Sequence, residues 1–227
     1  MTDGKIKLSA LPPSANSACV RSFLAVTGIE FAEENVWGQT RTPEYIAKFP
    51  SNLAPGIEHG DVCVSEGAAI LRYLTKAFPE QAGKYYPSDD PKKCALIDMI
   101  MDMVNTGVCG LIPKAIYPTL GFPCYAGDVA TLADLKEHVP ASQKAAADAL
   151  NEYMVDKVAG ILLKDTKFLL SDEPTIADFK FAPMLAQIKV AIKLPEELVK
   201  YEEAMKELPG YADAIKPSDD CCKAQWK

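Results

Sequence analysis

The chain is 227 residues long, 48% hydrophobic and 24% charged, the balance of a globular protein rather than a disordered one. Its formal charge is −7 with no block of Lys and Arg, so a phosphate-neutralising nucleic-acid surface is not expected. The opening Met-Thr-Asp-Gly-Lys-Ile-Lys-Leu has no apolar core of the kind a secretory signal carries. No run is expected to supply the ~18 apolar residues of a membrane span. The seven cysteines (Cys19, Cys63, Cys94, Cys109, Cys124, Cys221 and Cys222) fit neither paired CxxC zinc spacing nor a small disulfide scaffold. They imply a reduced, cytoplasmic protein with buried thiols and no metal.

In chain order, Ile6 to Leu11 reads as a first strand, ended by Pro12-Pro13. Ser14-Ala15-Asn16-Ser17 reads as a cap into a helix whose apolar face is Val20, Phe23 and Leu24, and Gly28 supplies the stop. Ile29 to Val36 is a second strand. Thr42-Pro43 opens a second helix, with Thr42 at the N-cap and Pro43 at the first helical position. Glu58-His59-Gly60-Asp61 is a turn between two further strands, and Ala68 to Ala77 a helix after Ser65-Glu66-Gly67. The order β-α-β-α-β-β-α describes an α/β layer of about eighty residues.

Pro79 to Pro91, rich in Pro, Asp, Lys and Gly, reads as a linker. Beyond it the periodicity is helical throughout: a long helix with Leu96, Ile97, Ile100, Met101 and Val104, then Val129 to Val158, Thr175 to Val190, and Glu196 to Leu208. The division expected is 1–79, 80–91 as linker, and 92–227 as an all-helical domain.

Three strings resemble the glutathione transferase superfamily. They are Gly38-Gln39-Thr40-Arg41-Thr42-Pro43-Glu44-Tyr45 with Phe49-Pro50 and Ala54-Pro55, then Ser65-Glu66-Gly67-Ala68-Ala69-Ile70-Leu71-Arg72-Tyr73-Leu74, and then Phe168-Leu169-Leu170-Ser171 with Pro174-Thr175-Ile176-Ala177-Asp178. They lie in both halves and in the family's order. The resemblance implies a thioredoxin-like α/β N-terminal domain joined to an all-α C-terminal one. It also implies glutathione as co-substrate, a small hydrophobic electrophile as second substrate, a detoxifying role and a homodimer, with neither membrane nor nucleic acid as partner.

By the same resemblance, a hydroxyl near the start of the first helix turns the glutathione thiol into a thiolate, helped by a hydrogen bond and the helix dipole. No Tyr precedes Tyr45, which excludes the Tyr-based chemistry; Ser14, six residues before Val20, fits the Ser pattern. Ser17 is the alternative, since it can also cap the helix, and Cys19 is expected to pack. Ala54-Pro55 stands where the fold places a cis peptide that presents backbone to an extended peptide. Glu66-Gly67 stands at a helix N-terminus suited to the γ-glutamyl carboxylate. Gln39 and Asn52 are further candidates for glutathione, with Lys48 a possible helper. Met99, Met103 and Thr106 share a helical spacing and are candidates for the electrophile pocket.

Two positions depart from the pattern. Asn52-Leu53 replaces a Gly-Lys pair whose Lys meets the glycyl carboxylate, and Gly67 replaces a Ser. Thr175 and Asp178 form a capping box that serves folding. Phe49-Pro50 and Ile116-Tyr117-Pro118-Thr119-Leu120-Gly121 also resemble the GST-like domain of the translation elongation factor 1B gamma subunit, a scaffold of the same fold. The alternative reading is therefore a non-catalytic interaction protein.

Overall fold

Strand β1 (Ile6–Ala10) lies inside a four-stranded sheet of order β2-β1-β3-β4 in the computed structural model, which describes residues 4–117 and 143–225. Ile6, Leu8 and Ala10 are fully buried, as a strand flanked on both edges requires. Strand β2 (Phe31–Asn35) runs parallel to it, with Ile6 opposite Phe31 and Ala10 opposite Asn35. Strand β3 (Gly56–His59) runs antiparallel, Leu8 facing Ile57. It hairpins through Gly60-Asp61, where Gly60 takes φ 62°, into β4 (Val62–Ser65). The β2 edge carries Glu33 and Glu34, whose charge discourages further strand pairing.

Helix α1 (Ala15–Thr27) joins β1 to β2 and ends at Gly28 in the left-handed region (φ 69°), whose N–H reaches the Ala25 carbonyl at 3.3 Å. Helix α2 (Pro43–Lys48) has Thr42 as N-cap, and α3 (Gly67–Ala77) follows β4. The stretch after it is folded rather than a loose linker. A short helix at Pro79–Ala82 and a 3-10 turn at Gly83–Tyr85 bury Ala82, Tyr85 and Tyr86, because Pro79 is preset for a first helical turn and the tyrosines supply apolar area. Tyr86 Oη donates to Asp98 Oδ2 at 2.9 Å, and Arg72 Nε to Asp98 Oδ1 at 2.8 Å, tying this stretch to the next helix.

Helix α4 (Pro91–Ile116) starts at the Asp90 cap and passes through a π segment at Val104–Val108. By length and mean hydropathy alone it could cross a membrane, although Asp98 and Asp102 interrupt its apolar run. It is nonetheless a core helix on one side, where Ile97, Ile100, Met101, Val104, Val108, Ile112 and Ile116 are buried. Helix α5 spans 143–162 in the described residues; 129–142 of the expected helix lie outside them, as do Cys124 and positions 118–121.

Helix α6 runs Ile176–Phe181, passes a 3-10 turn at Ala182–Met184 around Pro183, and resumes as Leu185–Ala191. Helix α7 is Glu196–Lys206. Helix α8 (Tyr211–Gln225) was not foreseen, because Pro217 interrupts a polar sequence that reads as a tail. Its Tyr211, Ala214 and Ile215 are buried against the rest. One hydrophobic cluster runs without a break from Ile6 and Leu8 in the sheet through α1, α3, α4 and α6 to Ile215, and a small second cluster (Val36, Tyr45, Phe49) lies under α2.

Candidate functional site

The start of α1 is set by Ser14, the N-cap residue: its Oγ accepts the Ser17 N–H at 3.4 Å, and its carbonyl accepts the Ala18 N–H at 2.8 Å. Ser14 is half-buried, and its hydroxyl hydrogen has no acceptor among the described residues. Ser17 is different. It is fully buried, and its Oγ accepts the Leu11 N–H at 3.1 Å, which fastens the end of β1 to α1. Neither serine hydroxyl donates to an acceptor among the described residues, but only Ser14 is partly exposed, and Ser17 is neither the cap nor accessible.

Cys19, one turn further, donates its S–H to the Asn16 carbonyl at 2.9 Å. Burial pushes its thiol up to about 11, so it stays neutral. It also explains the glycine at 67: a Cβ there would stand 2.9 Å from Cys19 Sγ. Cys19 occupies the space that a serine side chain at 67 would need, so the missing hydroxyl is a packing consequence.

Gly67 opens α3, and Glu66, the exposed residue before it, takes φ 70° and makes no side-chain cap bond. The first-turn N–H groups of α3 therefore have no side-chain cap, unlike those of α1 and α2. Ala54-Pro55 is a cis peptide immediately before β3, with Pro55 buried. Asn52 takes φ 47° and is exposed, Leu53 is 61% exposed, and the Leu53 carbonyl accepts from Tyr45 Oη at 3.0 Å. Gln39 is exposed, and its Nε2 donates to the Asn35 carbonyl at 3.3 Å. Lys48 is already engaged by Glu58 at 3.0 Å, which holds the lysine above its ordinary value.

Beside the first turn of α1 is a crevice lined by Ala15 and Asn16 on one side and by Cys109, Ile112, Met184 and Gln187 on the other. Met99, Met103 and Thr106 do not line it. Met99 is 43% exposed. Met103 borders a separate cavity inside the helical layer, where its carbonyl accepts from Tyr153 Oη at 3.2 Å. Thr106 is exposed and bonds back to the Asp102 carbonyl. The π segment at Val104–Val108 is the reason: its extra residue rotates the following face of α4, so residues counted at 3.6 per turn no longer share a side with Cys109 and Ile112.

Sequence reasoning also missed Asn16 and Lys180. Lys180 is only 4% exposed, and its Nζ donates to Asn16 Oδ1 at 2.9 Å. A lysine in the apolar run Ile176 to Ile188 was the available signal, since lysine is rarely buried without a reason.

Residues 4–76 match the family model described as "Glutathione S-transferase, N-terminal domain". Glutathione S-transferase T1 of Arabidopsis thaliana is 32% identical over 200 residues, covering 82% of this chain and 74% of that protein. The chain belongs to the glutathione S-transferase family. Maleylacetoacetate isomerase of Rattus norvegicus is 26% identical over 193 residues, covering 82% and 79%. Among solved structures, a theta class glutathione S-transferase from Xanthomonas axonopodis pv. citri with glutathione bound superposes with TM-score 0.74 at 20% identity, covering 92% and 96%. An epsilon-class enzyme from the housefly, Musca domestica, gives TM-score 0.75 at 19%, covering 97% and 98%. These structures bear out a thioredoxin-like α/β layer joined to helices.

Proposed function

We propose that this glutathione transferase activates the glutathione thiol with Ser14 and delivers it to a small hydrophobic electrophile held by the helical layer beside the first turn of α1. The observation that carries this reading is the Ser14 hydroxyl. Its oxygen is spent on the helix cap, its hydrogen is uncommitted, and it stands at the positive end of α1. Such a hydroxyl is free to donate to a ligand. A thiolate placed there gains a charge-assisted hydrogen bond and the favourable end of the helix dipole, both of which favour the anion over the thiol.

Around Ser14, the backbone at Ala54-Pro55 offers strand-like hydrogen bonds to the tripeptide, and the uncapped first turn at Glu66-Gly67 offers N–H groups to its γ-glutamyl carboxylate. Gln39 and Asn52 are the further glutathione contacts of this reading, with Leu53 where the family's Lys would stand. Residues 1–79 then hold glutathione and 92–227 the electrophile, joined by 80–91. In the reaction the sulfur forms a bond to carbon, a halide or similar group leaves with its electron pair, and the thiol proton passes to solvent. A homodimer in the cytoplasm with a detoxifying role completes the reading.

The test is glutathione conjugation of a chlorinated nitroaromatic by wild type and Ser14→Ala. Removing one preorganised donor is expected to lower turnover about a hundredfold or more, with glutathione affinity changed only a few-fold. Equal turnover in the variant would remove Ser14 from the site.

A further inference from the structure

Lys180 is a cation placed in the interior without an anion. It comes from α6, is 4% exposed, and among the described residues its Nζ meets one acceptor, the neutral Asn16 Oδ1 at 2.9 Å. No carboxylate among the described residues pairs with it. The titratable groups that face it are the thiols of Cys19 on α1 and Cys109 on α4, and Lys180 acts on both through its charge. Burial raises both thiols and keeps them neutral, so neither supplies a counter-charge. Arg21 adds a further positive charge near Cys19, but Glu33 neutralises it through contacts at 2.6 Å.

Position makes this more pointed. Lys180 Nζ lies 3.7 Å from where a Cβ on Gly67 would be, so the ammonium sits between the first turns of α1 and α3. Both helix ends are positive. A buried charge is costly unless something of opposite sign shares its surroundings, and here two helix ends deepen the same potential.

The contact to Asn16 also has a direction. An ammonium has donors only, so it must face the carboxamide oxygen, and the Asn16 NH2 group is turned the other way. That NH2 has no protein acceptor among the described residues, and Asn16 lines the crevice two residues beyond Ser14. We propose that Lys180 is a positioning residue of the thiolate site, holding the Asn16 carboxamide with its NH2 toward the crevice and supplying the positive potential that a glutathione thiolate beside Ser14 neutralises. This rests on the reading of Ser14 given above.

The experiment is the ultraviolet thiolate absorbance of bound glutathione, titrated with pH, alongside the pH profile of kcat/KM for wild type, Lys180→Met, Lys180→Arg and Lys180→Gln. Lys180→Met is expected to move the thiolate titration and the acid limb up by about one unit, a roughly tenfold loss of kcat/KM on that limb that closes at alkaline pH. KM for glutathione should change little. Lys180→Arg should restore most of the loss. Lys180→Gln keeps a donor for the Asn16 oxygen without the charge; it should shift the titration the same way, whereas a purely structural role predicts no shift. If Lys180→Met does not fold, Lys180→Gln decides alone.

An unmoved titration in folded variants, or a raised KM with an unmoved titration, as for a γ-glutamyl carboxylate contact, overturns the role of Lys180 while leaving Ser14 in place. A wild type with glutathione bound but no thiolate signal overturns the Ser14 reading and this proposal with it.

Discussion

Two helix starts in this molecule use the same hydroxyl capping chemistry to opposite ends. At α6, Thr175 and Asp178 form a closed network. Asp178 Oδ2 accepts from Thr175 N–H at 2.7 Å and from Thr175 Oγ1 at 3.1 Å, while Oδ1 accepts from Leu169 N–H at 3.0 Å, all of it buried. At α1 the cap is one long bond to Ser14, half-buried, with the hydroxyl hydrogen left over. The closed cap spends every polar atom on the fold. The open cap keeps one donor for something outside the chain.

Breaking the closed cap should cost most. Asp178→Ala strands the Leu169 and Thr175 N–H groups in the interior, and the expected loss is about 4 kcal/mol of stability, read by urea denaturation. A loss under about 1 kcal/mol would mean that the network is slack.

The next effect is its pH dependence. Burial raises Asp178 from the ordinary carboxylate value of 3.8 to about 6, so between these values the folded chain keeps a proton that the unfolded chain has released. Stability from this group is then full below about 3.8 and is lost as pH rises through about 6, on the order of 2–3 kcal/mol in total. The stability gap between wild type and Asp178→Ala should therefore narrow from pH 4 to pH 7, and a gap that widened would reverse the sign.

Smaller still is the packing between the open cap and α3. Gly67→Ser drives a side chain at Cys19 Sγ, and overpacking of this kind costs about 1–3 kcal/mol. Cys19→Ala in the same chain should return most of it in a double-mutant cycle, and strict additivity would show that the two positions do not meet. The smallest effect is on the open cap itself. Ser14→Ala should lower thermal stability by about 1 kcal/mol or less, far below its expected effect on turnover.

The features legible in the sequence were those that announce themselves locally. Pro43 after Thr42, Gly28 after a helical face, Gly60 in a hairpin and the Thr175/Asp178 box each specify their backbone within a few residues. The cap of α1 was legible only as the stretch 14–17: the sequence offered Ser17 as a cap, and the structure uses Ser14. The crevice was not, because it depends on where the π segment of α4 turns the helix and on a 3-10 turn in α6, neither of which has a periodic signature. Gly67 looked like a lost ligand contact because its partner, Cys19, is 48 positions away in sequence. Lys180 meets Asn16 across 164 positions, and no local pattern encodes that contact. Helix α8 escaped because its polar composition and Pro217 mask a single buried stripe.

Arg21 gives that last helix a further meaning. Its guanidinium, clamped by Glu33, donates Nη1–H to the Ala214 carbonyl at 3.3 Å, and α8 completes the packing around α1. The two partners are 193 positions apart. On the ribosome, the sheet and α1 emerge long before α8 exists, and during that interval α1 shows bare the side that α8 will cover. A nascent chain stalled before residue 211 should therefore expose that side to chaperones even though the segment holding Ser14 has already been made.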